Sequence, residues 1–390
     1  MIAHAHRSYA PFFANAFAWN LGLGMTYILI PLYADHLGYS GVAIGSLLSA
    51  PVVLQITVSL IGGALTDRIG GKRLALLSSA AIAVGSLVCA YASSLALLVC
   101  AQLCFVLSRA AFWPATWSLG SQLPGERGVQ LGRLNSITSA GQIVGTAFAG
   151  LVLAHFGFRA GFWLLAVLGG GLAFAFMAIF AAPAHRSHGT PLPMFAAYRA
   201  LARRPAIWFG IMCAYISALP FSLSFSFYPI LLVSEGFSSD ATGWLIALRA
   251  LGAVLAGVTA ARVVRKVSIR SIPVACALVV ALAVSLIAVF KHPAPLSALF
   301  LIVGLGSGVM TLYFQILISD LSATEMRGSA LALGGLGWGL SHLTTPLIMG
   351  ALKDAFGIAV AFYVIGAIAL VWALALAPMH AWAFRDGKPR

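Results

Sequence analysis

Apolar residues run along this chain in long blocks broken by short polar stretches, not in the narrow stripes of surface helices. Blocks of helix-spanning length lie at about 10–34, 42–64, 74–93, 96–120, 131–154, 160–182, 206–233, 241–261, 271–290, 296–319, 329–352 and 359–379. A helix needs about 20 apolar residues to cross the ~30 Å hydrocarbon core of a bilayer. The pattern therefore predicts twelve membrane-spanning helices. Several blocks contain Gly or Pro, which spans tolerate when neighbouring helices satisfy the freed backbone groups. Most connections are shorter than ten residues, and the longest polar one runs from Pro183 to Pro205. The first block, from Pro11 to about Tyr33, is too long for a signal-peptide core and reads as the first span.

Composition agrees. Hydrophobic residues make up 61% of the chain and charged residues 8%, against about 25% charged in a soluble domain. A water-soluble surface has to be partly polar, so the surrounding solvent must be lipid. The net charge of +14 does not signal nucleic acid, because the charge sits in the short connections. Taking the N-terminus as side one, that side holds Arg7, Arg68, Lys72, Arg73, Arg127, Arg133, Arg186, Arg199, Arg203, Arg204, Arg262, Arg265, Lys266, Arg270, Arg327, Arg385, Lys388 and Arg390. The other side holds Arg159, Lys291 and Lys353, while Arg109 and Arg249 fall inside spans. Basic loops stay cytoplasmic, so both termini are expected inside a plasma membrane, the inner membrane of a bacterium. The five cysteines all lie in apolar runs without metal spacing and read as small buried hydrophobes.

The two halves match at a shift of 200 residues. Arg127-Gly128 pairs with Arg327-Gly328, Leu131 with Leu331, Gly150 with Gly350, Phe156-Gly157 with Phe356-Gly357, and Phe162 with Phe362. Gly45 and Gly243 open equivalent spans. A six-plus-six chain with a parallel repeat places a cavity between its halves near the bilayer midplane. The expected domains are a six-helix bundle over 1–182, a basic cytoplasmic linker over 183–205 and a second six-helix bundle over 206–390.

After the second span the sequence reads Gly63-Ala64-Leu65-Thr66-Asp67-Arg68-Ile69-Gly70-Gly71-Lys72-Arg73. This resembles the signature loop between helices 2 and 3 of the major facilitator superfamily, with Gly71 at a usually basic position. The resemblance covers the whole chain. It implies an all-α membrane protein: twelve transmembrane helices in two six-helix bundles with pseudo-two-fold symmetry, working by alternating access. Arg109 lies in the fourth span, where many members carry an Arg, though Trp113 stands where a Gly often follows. Gly141, Gly145 and Gly150 in the fifth span resemble the glycine-rich motif of exporters, with Thr146 in place of its Pro and Pro346 at the equivalent site of span eleven. The second copy of the signature loop, Ala261 to Arg270, keeps only its basic character.

Gly63 and Gly70 permit close helix approach and a tight turn. Asp67 is suited to capping a helix N-terminus or pairing with Arg, and the resemblance implies that Asp67, Arg68 and Arg73 form a cytoplasmic latch. Glu126 and Glu325 are candidate partners at the same mouth. A charge inside a span is costly and normally faces a cavity or a partner. Arg109, Arg249 and His342 all lie deep in their spans, whereas all nine acids lie at span ends or in loops. Two basic side chains without buried acids favour an anionic solute. The alternative is that each Arg binds backbone carbonyls and His342 is structural. His342, Asp35 and Asp320 are the candidates for carrying a coupling proton. The family architecture puts spans one, four, seven and ten around the cavity. These carry Asn20, Tyr27, Trp113, Trp117, Tyr215, Phe225, Tyr313 and Gln315, with Trp338 joining from span eleven; the alternative for each is plain helix packing.

The expected function is export of a small organic solute, coupled to protons by antiport and carried out by a monomer. The alternative is uptake or exchange of a carboxylate- or phosphate-bearing anion at Arg109 and Arg249. A membrane enzyme would need a cluster of His, Asp, Glu or Cys at membrane depth, which the sequence does not offer. No cofactor, metal or nucleic acid is expected.

Overall fold

The computed structural model describes residues 9–182, 199, 201–266, 271–321, 330 and 333–385; within these, the side chains of 59–68, 127, 128 and 258–266 are not described. Its elements are α1 (Ala10–His36), α2 (Gly41–Ile69), α3 (Gly71–Ala90), α4 (Leu95–Ser121), α5 (Arg127–Leu164), a π-helical segment (Leu165–Leu172) and α6 (Ala173–Ile179). The second half holds α7 (Pro205–Ser224), α8 (Phe227–Ser234), α9 (Ser239–Lys266), α10 (Ile272–Ile287), α11 (Pro293–Asp320), α12 (Leu336–Phe356) and α13 (Ile358–Ala383). No strand occurs among the described residues. The expected linker lies mostly outside them, as do Glu325, Arg327 and Gly328.

Among the described residues, nine helical segments are long and apolar enough to cross a membrane, and one of them, Val129–Ile179, is 51 residues long and contains two expected spans. The shorter apolar helix Ile272–Ile287 and the helix Leu336–Phe356 occupy the two remaining expected blocks. The sixth and seventh spans are not plain α-helices. The sixth passes through the π-helical segment, where Gly169, Gly170 and Gly171 follow one another. The seventh breaks at Phe225 and Ser226 into α7 and α8. The Ser226 hydroxyl donates to the Ser222 carbonyl at 2.6 Å, so a backbone acceptor near the break is satisfied without water, as lipid-embedded structure requires.

The expected loop after the second span needs correction. Gly63 to Ile69 continue α2, and Gly71 already begins α3. Only Gly70 leaves the helix, with φ +87° and ψ 140°, a conformation that costs an L-residue about 1–3 kcal/mol. The motif is a one-residue corner between two helices. Lys72 then reaches back to donate to the Ala178 and Phe180 carbonyls at 2.8 and 2.7 Å. A cation there satisfies acceptors at the C-terminal end of α6.

By its internal contacts the chain divides into two compact units, Met1–Ile30 with Leu54–Gly189, and Pro31–Val53 with Thr190–Arg390. In the first, small residues let backbones touch. A Cβ on Gly141 would collide with the Phe17 carbonyl, and one on Gly145 with the Leu21 carbonyl. Gly150 is buried in the same helix. In the second unit, a Cβ on Gly337 would collide with the Ile211 carbonyl. Lipid supplies no hydrophobic drive between helices, so such close packing is a main source of cohesion.

The repeat is visible in backbone and burial. Gly157 and Gly357, 200 residues apart, adopt φ +76°, ψ 178° and φ +85°, ψ 161°. The preceding Phe156 and Phe356 are 70% and 64% exposed, while Phe162 and Phe362 are completely buried. Each half thus turns on a glycine and anchors the next helix with a phenylalanine.

Gly157→Ala and Gly357→Ala are expected to cost about 1–3 kcal/mol each, the strain of an L-residue in this extended positive-φ region, since no neighbour would obstruct the added methyl. Gly145→Val is expected to cost more, because α1 and α5 must separate. Thermal unfolding in detergent reads the ranking, and a neutral Gly145→Val would refute the close-packing account.

Candidate functional site

In the second unit, α7 and α12 build an aromatic box. Ser217 and Phe221 on α7 and Phe225 just past its end recur at four-residue intervals, and Trp338 and His342 do the same on α12, so each set lies on one face. The His342 ring stacks on Phe221 at a centroid distance of 5.3 Å and lies 5.0 Å from Phe225 and 5.6 Å from Trp338. Phe221 and Trp338 meet at 5.4 Å. Polar contacts fix the rings. Trp338 Nε1 donates to Ser217 Oγ at 3.2 Å, and His342 Nδ1 lies 3.2 Å from Ser222 Oγ. Arg249 enters from α9, with its Cζ 5.2 Å from the Phe221 centroid. A desolvated cation over an aromatic face contributes about 2 kcal/mol. Arg249 is only 3% exposed, whereas Phe221, Trp338 and His342 are partly accessible. Rings form the surface and the guanidinium stands behind them. A planar organic solute fits such rings, with the buried cation adding an attraction for negative charge.

The first unit holds a second, smaller polar group. Gln142 Nε2 on α5 donates to the Tyr27 hydroxyl on α1 at 2.9 Å. Arg109 on α4 is half-buried. Its Nε is buried without a hydrogen-bond partner, and no ion pair to it occurs among the described residues. Gln142 and His342 are 200 residues apart, so both halves place a polar residue of the fifth-type helix against the first-type helix.

The remaining expected residues scatter. Asn20 is buried and donates to the Ala16 carbonyl of its own helix at 2.8 Å. Trp113 packs on Trp19 and Phe112, while Trp117 is 53% exposed. Tyr215 stacks on Trp372 and hydrogen-bonds Thr344 at 2.8 Å, outside the box. Tyr313 is buried, whereas Gln315 is exposed on another face of α11. Glu126 and Arg73 are exposed, and Glu126 makes no capping bond from its N-cap position on α5. The Asp67 and Arg68 side chains lie outside the described set. Asp320 is exposed at the end of α11.

At the opposite ends of the second unit's helices, Pro31–Val53 is clamped to α12. Asp354 accepts from the Gly41 and Val42 N–H groups at 2.6 and 2.8 Å, placing an anion at the N-terminus of α2, where the helix dipole favours one. Lys353 Nζ pairs with Asp35 at 3.1 Å. Asp35 is therefore half of an ion pair beyond the first apolar run. Gly41 and Gly45 allow the approach: a Cβ on Gly45 would collide with the Pro346 carbonyl, and one on Gly350 with the Gly41 carbonyl. Partial desolvation would raise the Asp354 pKa. The Val42 and Gly41 N–H groups, Lys353 and the Ser40 hydroxyl outweigh it, and the carboxyl titrates below its ordinary value.

Sequence reasoning missed Phe221, Ser222, Gln142 and Asp354. Ser222 and Gln142 are polar residues within apolar blocks and could have been found that way. Phe221 is one Phe among 24, and Asp354 resembles any acid at a span end.

The geometry is that of a two-fold-repeat membrane carrier. The family model of the Major Facilitator Superfamily matches residues 12–241 and 211–390, and the chain belongs to that family of transporters. It is 25% identical over 346 residues to the multidrug resistance protein MdtH of Aeromonas hydrophila, covering 84% of each chain. It is 24% identical over 157 residues to the quinolone resistance protein NorA of Staphylococcus aureus, covering 40% of each. Among solved structures, the nucleoside transporter NupG (D323A mutant) superposes with a TM-score of 0.83 at 13% identity, over 95% of this chain and 99% of that one. A bacterial homologue of the lysosomal transporter Spinster gives 0.76 at 15% identity, over 98% of each.

Asp354→Ala is expected to destabilise the protein by about 1 kcal/mol, the usual worth of a helix cap. A depressed carboxyl pKa stabilises fully above the unfolded value of about 3.9 and loses its effect only as pH falls through the depressed one. The penalty should therefore be equal at pH 5.5 and pH 8 in thermal unfolding. A penalty that vanishes at pH 5.5 would refute the assignment.

Proposed function

We propose that the chain exports planar aromatic organic solutes through the cytoplasmic membrane by alternating access, in exchange for protons, with both termini cytoplasmic. The observation that carries this is the box of partly accessible Phe221, Trp338 and His342, backed by buried Phe225 and Arg249. Similarity to MdtH along most of the chain, and to NorA over part of it, supports the outward direction. His342 is the favoured proton carrier: it is the titratable member of the box and contacts the rings that hold the solute. Asp354, held ionised, is a poor one. The clamp of Asp354, Lys353, Asp35, Gly41 and Gly45 is assigned to gating on the outer side, and the Gly70 corner with Arg73 to gating on the inner side.

A second reading is uptake or exchange of an organic anion, favoured by Arg109, whose buried Nε has no hydrogen-bond partner. Quinolones, planar aromatic carboxylates, probe both readings. In everted vesicles carrying the protein, an acid-inside gradient should drive quinolone accumulation that an uncoupler abolishes. Accumulation indifferent to the gradient sinks the proton coupling. Entry of the anion only in right-side-out vesicles would favour the second reading.

Phe221→Ala and Trp338→Ala should each raise the KM for a quinolone about tenfold, the loss of one aromatic contact with its burial. Arg109→Gln should impair carboxylate substrates far more than their methyl esters. Equal loss of both would make Arg109 structural.

A further inference from the structure

The apolar face of the first unit carries an unexplained groove. Its cavity of about 410 Å³ lies between α3 and the π-helical segment, and its accessible lining is wholly apolar. Ala83 and Leu87 form one wall; Trp163, Val167, Gly171 and Ala175 form the other. The π-helical stretch and its glycines create it. Gly170 has no room for a side chain, since a Cβ there would collide with Ala83, while a Cβ on Gly171 would meet only the Ala166 carbonyl oxygen, at an ordinary contact of 3.7 Å. From Trp163 to Ala175 the wall rises at most about 18 Å, the length at the α-helical 1.5 Å per residue, and somewhat less through the π-helical turns. One leaflet of hydrocarbon is about 15 Å thick.

The groove ends under a basic aromatic rim. One helical turn beyond Leu87 stands Tyr91, and one turn before Trp163 stands Arg159. The Arg159 Cζ lies 4.6 Å from the Tyr91 centroid, and Tyr91 meets Trp163 edge-on at 6.3 Å. All three side chains are exposed. Of the basic residues on that side, Lys291 is paired with Glu235 at 2.7 Å and Lys353 with Asp35. Arg159 lies on a neutral ring and keeps guanidinium donors for another acceptor. An exposed cation and amphipathic aromatics directly above a leaflet-deep apolar slot are complementary to one molecule that carries an anion and a long chain.

The geometry points to a binding site for an anionic phospholipid, its phosphate on Arg159 beside Tyr91 and one acyl chain lying in the groove along Trp163, Val167 and Gly171. On the orientation proposed above, this lipid belongs to the outer leaflet. The site is separate from the aromatic box and does not depend on the transported solute.

Native mass spectrometry of the purified full-length protein, titrated with phosphatidylglycerol or phosphatidylcholine of identical chains, tests the site. Retention of one phosphatidylglycerol is expected at about fivefold lower concentration than phosphatidylcholine, the worth of one interfacial Arg. Arg159→Gln should remove that preference. Gly171→Phe, which fills the slot, should weaken both lipids. Phosphatidylglycerol bearing a photoreactive acyl chain should label wild-type peptides containing Leu87 and Val167, a readout that no variant's folding affects. Equal retention of the two lipids, an unaltered preference in Arg159→Gln, or labelling spread evenly over the apolar surface would overturn the assignment.

Discussion

Nothing in the hydrocarbon core of a bilayer can hydrogen-bond a stray backbone amide, and the structure follows from that constraint. Each span must satisfy its own amides, so it is helical. Helices gain nothing hydrophobic from leaving lipid for one another, so their backbones must come close to cohere. Gly141 and Gly145 against α1, Gly337 against α7, and Gly350 against Gly41 are among the places where this happens. The irregular places obey the same rule. At the α7–α8 break, the Ser226 hydroxyl takes a backbone carbonyl as its acceptor. In the sixth span, three consecutive glycines accompany the π-helical turn.

The same scarcity of partners governs the polar groups. Arg249 is buried over Phe221 and stands behind the aromatic surface. Its charge therefore acts through the ring and through space. His342 stands among three rings, with a serine at its nitrogen. Proton and solute would meet in one cluster, which is the physical basis for assigning coupling to that residue. The Tyr27–Gln142 pair repeats the arrangement in the first unit with neutral groups, so the repeat conserves position while the chemistry differs.

At the other end of the same helices, charge joins small-residue packing as a means of attachment. The Asp354 carboxylate on the α2 N-terminus and the Lys353–Asp35 pair are reversible contacts. They lie beside glycine–carbonyl contacts that need no side chain at all.

The number of spans, the repeat and the family could be read from the sequence alone. Apolar block length is set by bilayer thickness, and Gly157 and Gly357 carry a backbone requirement that only glycine meets cheaply. Arg109, Arg249 and His342 stood out because charge at membrane depth is rare. Which of them share a site was decided only by tertiary structure. Arg249 and His342 come together around Phe221, with Trp338 and Phe225, because α12 packs on α7 and the long Arg249 side chain reaches in from α9, whereas Tyr215 turns to Trp372 and Gln315 to the surface. Phe221 and Asp354 were hidden for the same reason. Helical periodicity tells which residues share a face, but not which neighbouring helix covers it, and that neighbour decides whether a ring lines a site and whether a carboxylate caps a helix.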